Sequence, residues 1–168
     1  MDLAEKIDES LKQVLETIAS VPEKDFNYRQ NPETWSAGEV LEHLCILEEL
    51  IYSLFSGPLE KTDRSPDEKI NLIRATFLNL DKKLNAPSPI GPTVGNKDYS
   101  SLINRYNTIR KKLKEAAETQ DLNYLCLGFE HRFFGKLTKF EWLYFCYYHS
   151  LRHCEQIKNI FRNANHDQ

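Results

Sequence analysis

The stretch TKFEWLYFCYYHSLRHCEQI, residues 138–157, decides how this chain is read. It opens on Thr138 and, three residues later, Glu141, a pair whose side chains cap each other's backbone N–H at a helix start. Leu137 and Trp142 are placed as a hydrophobic staple around that start. Trp142, Cys146, His149, His153, Gln156 and Ile160 then recur at three- and four-residue steps, so a helix carries them on one inward face. The segment 142–148 is apolar on nearly every side. Two imidazoles facing inward from such a helix need partners, because an unsatisfied buried polar group costs on the order of 1–3 kcal/mol.

The same grammar recurs upstream. SAGE, residues 36–39, pairs Ser36 with Glu39 and places Trp35 and Val40 as a staple; SPDE, residues 65–68, offers Ser65 as cap, Pro66 at the first helical position and Glu68 to close the box. Periodicity predicts helices over 2–20, 36–56, 65–84, 99–119 and 138–162. The first carries Leu3, Ile7, Leu11, Val14 and Ile18 on one face, and the fourth Leu102, Tyr106, Ile109, Leu113 and Ala116. NAPSPIGPTVGNK, residues 85–97, reads as a loop that borders a pocket or simply connects, and LNYLCLGFEHRFFGK, residues 122–136, as an ordered but irregular connection. With no strand pattern or repeat in competition, the expected architecture is an all-α antiparallel four-helix bundle with an additional short helix and long loops, one domain over 1–168.

Bulk properties narrow the function. A chain of 168 residues can bury a sizeable core without staples, and Cys45, Cys126, Cys146 and Cys154 form no CxxC pair, so they read as free buried thiols. A formal charge of −3 with no dense basic block argues against a nucleic-acid partner. The opening MDLAEKIDES lacks the basic and apolar regions of a signal peptide, which predicts a cytoplasmic protein. The run LYFCYY, 143–148, is far too short to span a membrane.

A third histidine joins the pair. Val40, His43, Leu47, Leu50 and Leu54 form the inward seam of the second helix. His149 and His153 stand one turn apart, where both reach one ion. A lone inward histidine is more often a hydrogen-bonded core residue; three together favour a divalent cation that serves all of them. Imidazoles suit Zn, Ni, Co or Fe(II) better than Ca or Mg. Three protein ligands leave a position open, as in catalytic zinc sites, where water is acidified toward a pKa of about 7 or a thiol is deprotonated.

WSAGEVLEHL (35–44), HRFFGKLT (131–138) and HSLRHCEQI (149–157) resemble the signature stretches of the DinB/YfiT-like superfamily, which is distinct from the DNA polymerase also called DinB. The resemblance runs over nearly the whole chain. It implies a four-helix bundle, often a homodimer, with a divalent ion on His43, His149 and His153. It also implies a metal-dependent hydrolase, or a transferase using a low-molecular-weight thiol such as bacillithiol, or a relative of a mycothiol-dependent isomerase, acting on a small electrophilic molecule. Where the family often has HP before the glycine, this chain has His131 and Arg132, which puts the local turn in question.

Other residues carry two readings each. Glu39 is a general base one turn before His43 or simply the cap; Gln156 orients a ring nitrogen or bridges to backbone; Arg152 binds an anionic group or forms a surface salt bridge. Cys146 is a fourth ligand or an apolar filler. Tyr147 and Tyr148 line a pocket or pack. His131 shuttles protons or bonds a helix end, and His166 lies in the polar tail NANHDQ. The rival to an enzyme is a noncatalytic, stress-related metal-binding or interaction module, and the blandest reading is a metal-free helical dimer.

Overall fold

In the computed structural model, which describes residues 2–84 and 90–164, capping fixes where the helices begin. Helix α1 (Leu3–Ala19) starts with a reciprocal box between Asp2 and Glu5, and α2 (Ala37–Leu54) with the expected one between Ser36 and Glu39. Helices α3 (Ile70–Leu78), α4 (Tyr99–Thr119) and α5 (Lys139–Ala164) follow, α4 capped by Asp98. At α5 the Thr138 hydroxyl accepts from the Glu141 N–H at 3.1 Å, while Glu141 accepts from the Thr138 N–H at 2.9 Å. One 3₁₀ turn spans Glu23–Asp25.

The four long helices pack around a shared apolar core that includes Ile7, Leu44, Ile51, Tyr106, Leu113 and Trp142. Their cross-links give the directions. Tyr147 donates to Glu9, 138 positions away, and the Cys154 thiol bonds Thr17, so α1 and α5 run the same way. The Cys45 thiol lies against the Leu102 carbonyl and Lys112 over the Tyr52 ring, so α2 and α4 do too. Asp8 meets Lys114 and Ser10 meets Arg110, so the two pairs are antiparallel to each other. Parallel neighbours need a long crossover, and residues 55–98 supply it between α2 and α4.

Two expectations are corrected within the connections. Strands β1 (Leu59–Lys61) and β2 (Tyr124–Cys126), where the sequence gives no strand pattern, pair antiparallel with Leu59 opposite Cys126 and Lys61 opposite Tyr124. The third helix is shorter than 65–84, and the box expected at Ser65 does not form: its hydroxyl turns to Asp67, and Lys69 precedes the helix with no side-chain cap of its own. The ends of α3 are set instead by α5. Glu141 accepts from the Lys69 N–H at 2.9 Å at one end, and the Arg152 guanidinium donates to the carbonyls of Phe77 (3.2 Å), Asn79 (2.8 Å) and Lys82 at the other. An anion at the N-terminus and a cation at the C-terminus both complement the helix dipole.

The segment ahead of α5 closes a turn in which His131 and Gly135 exchange backbone hydrogen bonds of 3.0 and 2.7 Å. Gly135 has φ +66°, a conformation open to glycine at no steric cost, so the turn forms without the proline of the family pattern.

Candidate metal centre

Helices α2 and α5 bring His43, His149 and His153 together, all three buried. The Nε2 atom of His149 lies 3.4 Å from that of His43 and 3.0 Å from that of His153. Each outer ring is held from behind. The Nδ1–H of His43 donates to the Ile90 carbonyl at 2.6 Å, and the Nδ1–H of His153 donates to the Gln156 amide oxygen at 2.7 Å. Those bonds fix the tautomers, so in the neutral rings both Nε2 atoms carry bare lone pairs. His149 can offer a proton to one of them at most, and its Nδ1 has no partner among the described residues.

At least one of the bare nitrogens is therefore left facing a ring nitrogen without a proton between them, unless a cation lies among the three. Around an ion with metal–nitrogen distances of about 2.0–2.1 Å, the edge of a tetrahedron is about 3.3 Å, which the two observed separations bracket. Protonation does not relieve the cluster, because burial pushes His153 down to about 3, His149 well below the usual imidazole value and His43 in the same direction. The rings thus stay neutral, as ligands must. By spacing, burial and tautomer these residues could hold a divalent transition ion.

The cluster floors a cavity of about 710 Å³. Phe145 stacks on His149 with centroids 5.3 Å apart, Phe77 meets it edge-on at 5.1 Å, and Trp35 lies 5.1 Å from His43. His131 lines the same cavity, stacked on Phe134 at 4.5 Å and pushed down to about 4 by burial and by Arg132. Its Nδ1 accepts from the Phe133 N–H at 3.2 Å.

The remaining candidates fall in distinct places. Glu39 accepts from the Ser36 N–H at 2.9 Å and from Arg29 Nε at 2.8 Å; burial opposes its ionisation, but Arg29 and Ser36 hold the carboxyl below its usual value. Arg152 borders the cavity, yet its guanidinium is bonded to the carbonyls at the end of α3. Cys146 stands outside the histidine group as a fully buried thiol, and all four cysteines are free. Tyr147 donates to Glu9 at 3.1 Å and Tyr148 packs against Tyr144, both away from the cavity wall. His166 lies outside the described residues.

Sequence reasoning missed Glu42 and Ile90. Glu42 accepts from the N–H and the hydroxyl of Thr93, each at 2.8 Å, and pairs with Lys97 at 2.8 Å, which moors the described part of the loop 85–97 next to His43 and brings the Ile90 carbonyl to its ring. The signal was a carboxylate inside an otherwise buried helix face. Nothing local pointed to Ile90, whose contribution is backbone.

The profile of the DinB superfamily matches residues 6–157, and the chain belongs to that superfamily. A curated relative, "Uncharacterized protein YuaE" of Bacillus subtilis (strain 168), is 22% identical over 148 residues, covering 85% of this chain and 87% of that protein. No solved structure matches the chain significantly. Among the described residues no helix is long and apolar enough to cross a membrane.

Proposed function

We propose that this protein is a cytoplasmic metal-dependent enzyme in which His43, His149 and His153 hold a divalent transition ion, Zn or Ni before Fe or Co. It acts on a small electrophilic molecule, as a hydrolase or as an S-transferase that uses a low-molecular-weight thiol such as bacillithiol. The observation that carries this reading is the convergence of three Nε2 atoms, two with their Nδ1–H groups anchored, on the floor of a cavity of about 710 Å³. A purely structural ion would need no such space. The cavity therefore favours an enzyme over a noncatalytic module. The family resemblance adds a homodimer to the reading and a domain that spans the chain.

When bound, such an ion supplies Lewis acidity toward a water, thiol or electrophile brought to it. The chain's own residues do the rest. Ile90 and Gln156 fix the ring orientations of His43 and His153. Phe77, Phe145 and Trp35 keep bulk water from the rings. His131, neutral near pH 7 and with Nδ1 engaged by the Phe133 N–H, is left with Nε2–H as a hydrogen-bond donor in the same wall.

Elemental mass spectrometry on untagged protein tests the reading. The wild type is expected to carry about one ion per chain, and His149→Ala little. Negligible metal in both after dialysis against Zn and Ni would overturn it.

A further inference from the structure

The cavity's walls say more about its occupant than its floor does. We propose that it is a binding chamber for a neutral, aromatic small molecule, one end of which is presented to the histidines; only the role of that end rests on the metal-site reading. The volume, about 710 Å³, falls in the range of about 300–1,000 Å³ usual for sites that enclose a small ligand.

Four rings form a continuous wall. Phe77 and Phe145 meet at 4.8 Å, Trp142 and Phe145 at 5.2 Å, Phe77 and Phe134 at 5.9 Å, and Phe134 and Phe145 at 6.2 Å. Phe77 and Phe145 carry that wall down to His149, and Trp35 closes on His43 from another side. Offset and edge-to-face contacts of this kind extend readily to one more aromatic ring. These four rings are buried members of the core that also line the cavity.

Charge selects against an ionic ligand. Around the cavity Glu33 and Glu130 are offset by Lys83 and Arg132, all exposed, and Arg152 is committed to backbone carbonyls. Gln30, Thr34 and Asn159 also line the cavity and can serve a hydroxylated thiol, but against the aromatic wall such a molecule would lose hydration. An aromatic molecule meets no such cost there.

The test exploits the chain's two tryptophans, Trp35 and Trp142, which both line the cavity. N-phenyl-1-naphthylamine, a neutral aromatic fluorophore, is titrated into the full chain, metal-free and zinc-loaded, and its emission is excited through tryptophan. Saturable binding at about one dye per chain, displaced by naphthalene but not by glucosamine, is expected in both forms. Phe133→Glu places a charge on a half-exposed ring at the cavity's edge and is expected to weaken binding about tenfold. Zinc uptake without saturable dye binding, or dye binding indifferent to Phe133→Glu and to naphthalene, overturns the chamber. Dye binding without zinc uptake upholds the chamber and removes the metal reading instead.

Discussion

His149 and Ser150 are neighbours on α5, yet they enter two buried polar clusters of opposite kind. Ser150 belongs to a network with Arg110, Glu48, Tyr106 and Ser10, in which donors and acceptors alternate. Arg110 donates to Glu48 at 2.8 Å, to the Tyr106 hydroxyl at 2.6 Å and to the Ser10 hydroxyl at 2.9 Å, while Ser150 donates to Glu48 at 3.2 Å. Plus and minus are both present, so most of this cluster is completed from within, although Glu48 Oε2 and Arg110 Nε have no partner among the described residues. The histidine cluster brings three ring nitrogens together with no charged partner among them, and it lines a cavity. Burial alone does not separate structural from functional polar groups; the balance of donors and acceptors does.

The largest effect expected from this contrast is on stability. Burial pushes the Glu48 carboxyl up to about 7, and the Arg110 guanidinium beside it works against that rise. Arg110→Ala leaves it buried and unpaired, at a cost of roughly 3–5 kcal/mol, read as a lower urea midpoint. The paired replacement Arg110→Met with Glu48→Leu is expected to recover most of that loss, because a buried pair is often matched by apolar residues of similar volume. If Arg110→Ala unfolded no more easily than wild type, the network would not be the structural member of the comparison.

How much of this was legible along the chain depends on how local each determinant is. The seams of α2 and α5 repeat every three or four residues, so His43, His149 and His153 could be placed inward from spacing alone. The boxes at Ser36 and Thr138 were readable because cap and partner lie three residues apart. Ser65 offered the same local pattern and failed, since the ends of α3 are held by Glu141 and Arg152, from 72 and 75 residues along the chain. Strands of three residues are too short for a period of two to show. The cavity is likewise non-local: Trp35, Phe77 and Phe134 come from three separate segments.

The second test sharpens the histidine side. Among the described residues the Gln156 amide oxygen accepts from the Nδ1–H of His153, so Gln156→Leu removes the acceptor that fixes that ring and leaves the three Nε2 atoms in the chain. Loss of such a supporting hydrogen bond typically costs 10–100-fold in metal affinity, or about 1.4–2.7 kcal/mol. Competition with a chelator of known affinity measures it. Unchanged affinity would mean that His153 is oriented by packing alone.

The smallest effect separates a cap from a catalyst. Glu39 stands one turn before His43, the position from which a carboxylate could serve as a base, but its oxygens are taken by the Ser36 N–H and Arg29. Glu39→Gln keeps an acceptor for the cap and removes the negative charge from the start of α2. The charge is worth roughly 0.3–1 kcal/mol at a helix N-terminus, and the half-exposed Arg29 adds little because water screens it. A small drop in melting temperature with metal content unchanged is therefore expected. A large loss of bound metal with the fold intact would move Glu39 from the helix cap to the histidine cluster and blur the line between the two kinds of buried polar group.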